Sequence, residues 1–219
     1  MEYRLNIPLT DEDVTKLKIG DVVYLSGPIF TCRSMLQKKV LDEGMPMTID
    51  TKNKYNVMFQ TGVVVGKLPD GGWDMRSIMP TSTIRFEKWT PRTIEQWGIK
   101  MILGKTSVGE EGTEALKKFK CVHICPQSVS PNDWLDTLHL DGVDRIEELG
   151  LIEATWKFTA KDFGPFVVDA DCEGNHLFDQ NLENIKSNLK KAYEKLGIDE
   201  NMKFTKLYGF PDDDRAMYT

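Results

Sequence analysis

Three hydroxyl residues stand in a row behind a proline in Met79-Pro80-Thr81-Ser82-Thr83-Ile84-Arg85, and an arginine follows four residues after the first of them. On a helix, Thr81 and Arg85 would share one face. A threonine hydroxyl is a poor base at its ordinary pKa. Cations around a dry site favour its alkoxide, because they stabilise charge on that oxygen. Ser82 and Thr83 are also natural helix caps, and capping is the plainer use of these hydroxyls.

Two further cations stand at the ends of strand-like runs. Arg33 follows residues 21–29 and opens a helical pattern, where unpaired N–H groups and a guanidinium fork together suit a carboxylate or phosphate. Lys105 follows the apolar run 99–104, at the kind of strand end where ligands of open α/β sheets sit. The stretch Gly104-Lys105-Thr106-Ser107-Val108-Gly109 is loosely phosphate-loop-like, but it lacks the first glycine at the required spacing, which argues against a nucleotide. Arg33, Arg85 and Lys105 with one hydroxyl suit a small dianionic substrate. A fold that scatters them would leave only surface charges.

Cys121, His123 and Cys125 alternate, so a strand would turn all three to one face. Three ligands this close, with no second Cys pair, do not match a usual zinc loop. Burial is the preferred reading, with a metal site as the alternative. His139 and His176 read as surface or loop residues.

The elements that must position these residues are ordinary. The chain has 219 residues, 40% hydrophobic and 28% charged, enough for one sizeable core. A net charge of -6 argues against non-specific nucleic-acid binding. With no run of about 18 apolar residues, no membrane span is expected. No signal-peptide pattern opens the chain, and a cytoplasmic location is expected. Cysteines 32, 121, 125 and 172 need not pair in a reducing compartment.

Thr10 and Asp13 form a capping box for a helix running toward Gly20. Strands are expected over 21–29, 55–68 and 73–79, the last two as a hairpin around Pro69-Asp70-Gly71-Gly72. Helices are expected over 31–44, just after Pro80, from Thr90-Pro91 to Trp97, over 110–119 and over 178–197. Further strands fall at 99–104, 120–125, 136–146, 154–163 and 165–172. The β-α-β succession predicts a mixed α/β domain with some parallel pairing. A single domain over 1–197 and a tail over 198–219 are expected, with a minor break near Pro131-Asn132-Asp133.

Five ordered stretches then carry a resemblance: Gly20-Asp21, Thr31-x-Arg33, Pro80-Thr81-x3-Arg85, Gly104-Lys105 and Asp162-Phe163-Gly164-Pro165. From about Leu5 to about Lys195 the chain resembles the β-subunit, or C-terminal domain, of the iron–sulfur class I fumarate hydratase and L-tartrate dehydratase family. The resemblance implies a swivelling β/β/α fold and a partner α-subunit whose own cysteines hold a four-iron four-sulfur cluster. It implies Thr81 as the base that takes a proton from carbon, with Arg33, Arg85 and Lys105 binding the carboxylates of a hydroxy-dicarboxylate. No metal is expected on this chain. It would act as a hetero-oligomer with its α-subunit, and an exposed apolar patch would drive self-association when it is made alone.

Two stretches depart from the family pattern. Gln60-Thr61-Gly62-Val63 stands for His-x-Gly-Pro, and Thr106-Ser107 stands for a pair of glycines. These departures bear on substrate identity, and motivate the alternative of a non-catalytic swivelling module that binds a dicarboxylate or a partner.

Overall fold

The computed structural model describes residues 1–127 and 133–199. In chain order the first elements are β1 (Glu2–Asn6), α1 (Asp11–Thr15), β2 (Val22–Thr31), α2 (Ser34–Gln37) and β3 (Val57–Phe59). The hairpin β4 (Thr61–Lys67) and β5 (Trp73–Pro80) leads through a 3-10 helix, Thr83–Trp89, into α3 (Thr90–Trp97). Then come β6 (Met101–Leu103), α4 (Glu110–Phe119), β7 (Val122–Pro126), β8 (Leu138–Asp144), α5 (Ile146–Glu153), β9 (Thr155–Ala170) and α6 (Leu177–Leu196). The chain divides into two compact units, Met1–Phe178 and Asp179–Thr219; the described part of the second is most of α6 and the three residues after it.

Five strands of the larger sheet close on themselves. β2, β3, β6 and β7 run parallel in that order, and the long β9 pairs antiparallel with both β7 and β2. β1 fills the remaining edge of β2, and β8 fills that of β9. This is a mixed, barrel-like sheet in an α/β unit, as a swivelling β/β/α domain requires.

Closure explains why β3 and β6 are apolar at every position: both of their faces are covered. Val57, Phe59, Met101, Leu103, Val122 and Ile124 share one core with Phe163, Phe166 and Val168. The alternate residues Met58 and Ile102 belong to a second core, against Leu36, Trp89, Trp97 and Leu116 of the helical layer. The period of two thus puts one residue in the lumen and the next under the helices. Ring centroids of Phe163 and Phe166 lie 4.7 Å apart, edge to face, inside the lumen.

Several expectations need correction. The run 55–68 is not one strand: β3 belongs to the barrel, β4 to a separate two-stranded sheet, and Gln60 is the corner between them. The two strands expected over 154–163 and 165–172 are the single strand β9, which passes through Gly164-Pro165. A Cβ at Gly164 would lie 2.7 Å from the Val23 carbonyl oxygen, so glycine lets β9 cross β2 closely. The helix expected over 31–44 is only α2 followed by a π-helical turn, Lys38–Asp42, because β2 runs on to Thr31.

The Thr10–Asp13 capping box is present, yet α1 stops at Thr15. Helix α5, within the strand-rich stretch, was not expected. The break near Pro131-Asn132 and residues 200–219 of the tail lie outside the described residues.

Candidate active site

Gln60 is the junction from which the site is hung. Its N–H donates to the Leu103 carbonyl at 2.8 Å, and its own carbonyl accepts from the Thr81 N–H at 2.7 Å. One residue earlier, the Phe59 carbonyl accepts from the Cys32 N–H at 3.0 Å. The Lys105 N–H donates to the Thr81 carbonyl at 3.1 Å, and the Thr83 N–H donates to the Lys105 carbonyl at 2.8 Å. The carboxyl ends of β2, β3 and β6 therefore lie side by side. Gln60 and Lys105, just past β3 and β6, bond main chain to main chain with the buried Thr81, and Arg33, just past β2, lies against Gly62 at the base of the hairpin.

Arg33 lies across the base of the hairpin. A Cβ on Gly62 would sit 2.7 Å from Arg33 Nη1, so a side chain there would make the guanidinium shift. Arg33 Nε faces Glu153 Oε1 at 3.4 Å, and Glu153 Oε2 accepts from the Met35 N–H at 2.9 Å. The helix-start N–H that the sequence offers to an anion is thus already taken by Glu153. Glu153 orients Arg33, and sequence reasoning missed it because its partners lie 118 residues or more away.

Thr81 and Arg85 do not share a helix face. The 3-10 helix starts only at Thr83, because Thr81 and Ser82 are held extended by pairing with Gln60 and Lys105. Arg85 is exposed on that helix, its guanidinium carbon 5.9 Å from the Phe86 ring centroid. The bonds that tie Thr81 to Gln60 and Lys105 do not include its side chain. Neither Ser82 nor Thr83 caps the helix. Ser82 makes no side-chain capping bond, and the Thr83 hydroxyl lies 2.8 Å from His123 Nε2.

The loop after Lys105 keeps a glycine-like shape without glycines. Thr106 and Ser107 have φ of 68° and 59°, the left-handed region that side chains rarely adopt. The loop is clamped at its far end by Glu87, whose carboxylate accepts from the Gly109 and Gly112 N–H groups at 2.8 and 2.6 Å. That carboxylate also serves the N-terminus of α4, with the favourable sign for a helix start.

Cys121 and His123 are fully buried, but as parts of the helical-layer packing. Both ring nitrogens of His123 are engaged, Nδ1 with Asp169 Oδ1 at 2.7 Å. Among the described residues, no three His, Cys, Asp or Glu side chains gather to hold a metal. Burial holds the Cys32 and Cys121 thiols well above their usual pKa; burial, then the Asp169 charge, pushes Cys125 up to about 12. His139 is exposed, and His176 Nε2 lies 3.2 Å from the Val108 carbonyl. No helix among the described residues is long and apolar enough to cross a membrane.

Of the five stretches behind the resemblance, Gly20-Asp21 and Asp162-Phe163-Gly164-Pro165 serve the β2–β9 closure. Gly20 and Asp21 bond main chain to main chain with Val168, and Phe163 fills the lumen. Thr31-x-Arg33, Pro80-Thr81 and Gly104-Lys105 lie at the strand ends, while Arg85 stands exposed on the 3-10 helix.

The sequence model described as Fumarase C-terminus matches residues 1–181. The L(+)-tartrate dehydratase subunit beta of Escherichia coli (strain K12) is 32% identical over 184 residues, covering 83% of this chain and 89% of its own. A putative L(+)-tartrate dehydratase subunit beta of Methanocaldococcus jannaschii is 30% identical over 202 residues, 90% of this chain and 97% of its own. A putative fumarate hydratase class I of Geobacillus stearothermophilus is 31% identical over 188 residues, 85% of this chain and 35% of that longer protein. With its barrel, its gathered strand ends and these matches, the chain belongs to the Fumarase C-terminus family.

Proposed function

We propose that this chain is the β-subunit of a hydro-lyase that adds or removes water across a hydroxy-dicarboxylate of the tartrate or fumarate/malate type. The observation that supports the reading is the pair of backbone bonds tying Thr81 to Gln60 and Lys105, with Arg33 against Gly62 of the adjoining hairpin. In dehydration, the Thr81 oxygen takes the proton from the carbon next to a carboxylate. The electron pair of that C–H bond forms the double bond as the hydroxyl leaves from the neighbouring carbon. Arg33 and Lys105 bind the substrate carboxylates and lower the energy of the Thr81 alkoxide. Arg85, on the exposed side of the 3-10 helix, supplies a third cation from the rim.

The residues of this chain do not fit a four-iron four-sulfur cluster. Cys32 and Cys121 are sealed in the helical-layer core, and no metal-holding group forms among the described residues. We assign the cluster to an α-subunit. Exposed Met79, Ile84, Leu151 and Ile152 offer that subunit an apolar surface. Ile152 lies against Gly62, whose strand partner is Met79.

The departures from the family pattern leave this geometry standing. Thr106 and Ser107 hold glycine-like torsions, and Gln60 keeps its junction through main-chain bonds. The test is anaerobic reconstitution with the α-subunit, followed by tartrate and fumarate/malate assays. Thr81→Ala should lower kcat about 100-fold or more; full activity in that variant would remove Thr81 as the base. Dicarboxylate binding by the chain alone, with no activity in the complex, would favour the binding-module reading.

A further inference from the structure

Beneath the site lies a polar chain that the mechanism above does not use. Thr83, His123 and Asp169 are each fully buried. Thr83 Oγ1 is 2.8 Å from His123 Nε2, and His123 Nδ1 is 2.7 Å from Asp169 Oδ1. Asp169 reaches the imidazole because it is the extra residue of a β-bulge. One step on β7, from His123 to Ile124, is matched by two on β9, from Ala170 to Val168. Bulges re-aim side chains in this way.

The direction of the chain follows from its donors. The Asp169 carboxylate only accepts, so His123 Nδ1 carries a proton, and in the single-proton tautomer that this selects Nε2 is the acceptor. Thr83 then donates its hydroxyl proton to Nε2. Hydroxyl, imidazole and carboxylate stand in the order of a hydrolase triad. Here no substrate can approach, since Thr83 has no exposure and a Cβ at Gly104 would run into its oxygen.

What Thr83 does touch is the ladder carrying the base. Its N–H holds the Lys105 carbonyl, its oxygen sits against Gly104, and the Lys105 N–H holds the Thr81 carbonyl. The second carboxylate oxygen, Asp169 Oδ2, makes no hydrogen bond of ordinary geometry, although the Cys125 thiol lies beside the carboxylate. A core position this deep is more cheaply filled with apolar groups than with a half-satisfied carboxylate.

We propose that Asp169 and His123 are positioning residues of the hydro-lyase site, fixing the Thr83 hydroxyl so that the Thr81–Lys105 pairing stays in register. The proposal rests on Thr81 and Lys105 acting as base and carboxylate-binding cation.

The test has one arm on the reconstituted complex and one on the full chain alone. In the complex, Thr83→Val, which removes only the hydroxyl function, should lower kcat about 10- to 100-fold with KM within about twofold, as a small misplacement of a reacting group does. Thr83→Ser should retain kcat within about threefold. A Thr83→Val complex as fast as the parent would overturn the proposal. Full activity in Thr81→Ala would instead remove the base assignment, so the two failures are separable.

On the full chain, nitrogen-15 labelling of its three histidines reads the ring directly by NMR. His123 should show a proton at Nδ1, and Asp169→Asn should move that proton to Nε2. A native His123 protonated at Nε2 alone would overturn the proposal even where Asp169→Asn fails to fold.

Discussion

Lys105 and Thr81 are joined main chain to main chain, the Lys105 N–H donating to the Thr81 carbonyl at 3.1 Å. Thr83 closes the ladder by donating to the Lys105 carbonyl at 2.8 Å. The hydroxyl and the ammonium are therefore placed by peptide spacing rather than by a contact between their flexible ends. Gly104 makes this possible, because a side chain there would meet the Thr83 oxygen and lie 3.2 Å from both the Thr81 carbonyl oxygen and Gln60 Oε1.

Gly104→Ala should thus destabilise the fold by about 1–3 kcal/mol, the usual range for forcing a methyl into a filled core. Its urea midpoint should fall with an unchanged m-value, and activity with the α-subunit should fall further than stability alone explains. An unchanged midpoint would mean that the ladder is looser than its distances imply.

Thr106 is exposed and carries a φ of 68°, so its side chain strains the loop without filling a core. Thr106→Gly should stabilise the chain by about 0.5–1 kcal/mol, after glycine's larger unfolded-state entropy is set against the relieved strain. For a chain of this size, calorimetry should read a Tm higher by about 1–4 °C. A lower Tm would show that the hydroxyl or methyl makes an unrecognised contact.

The cysteines should be slow to react. All four thiols are shifted upward, Cys125 to about 12 and the others by direction, with burial the first cause in each. A raised pKa leaves less thiolate at pH 8, and the thiolate is the nucleophile. A chromogenic disulfide reagent at pH 8 should titrate little beyond the partly buried Cys172 in the native chain, and all four thiols in guanidinium. Rapid modification of Cys125 in the native state would contradict its half-buried placement beside Asp169.

Much of the molecule is legible in its sequence, and what is not has physical reasons. Thr10, Pro91 and Gly98 mark local starts and stops whose chemistry is contained within a few residues, and they sit where capping rules put them, although α1 is short and Thr90 is the first residue of α3. The place of Lys105 just beyond the apolar strand Met101–Leu103 is equally legible, since the strand shows in its residue types.

Barrel closure is a different matter. It depends on β9 meeting β2 across more than a hundred residues, and no local period encodes that meeting. Gln60 hides for a related reason: alternation continues from Val57 to Val63 while the chain changes sheets. His123 could be read as buried, but its carboxylate partner stands 46 residues on, aimed by a bulge that leaves no mark in residue type. Ser82 and Thr83 looked like caps because their hydroxyls suit caps. Tertiary partners claimed Thr83 instead, and none claimed Ser82 for a cap.

The change of sheet at Gln60 has a mechanical corollary. Both legs of the β4–β5 hairpin leave the barrel at neighbouring bonds: Thr61 pairs with Pro80, and Thr81 is tethered to Gln60. The hairpin is thus a lever with its fulcrum at residue 60 and the Thr81 oxygen close beside that fulcrum. A load on Val64 or Met79, both exposed along its length, is delivered to the backbone that carries Thr81.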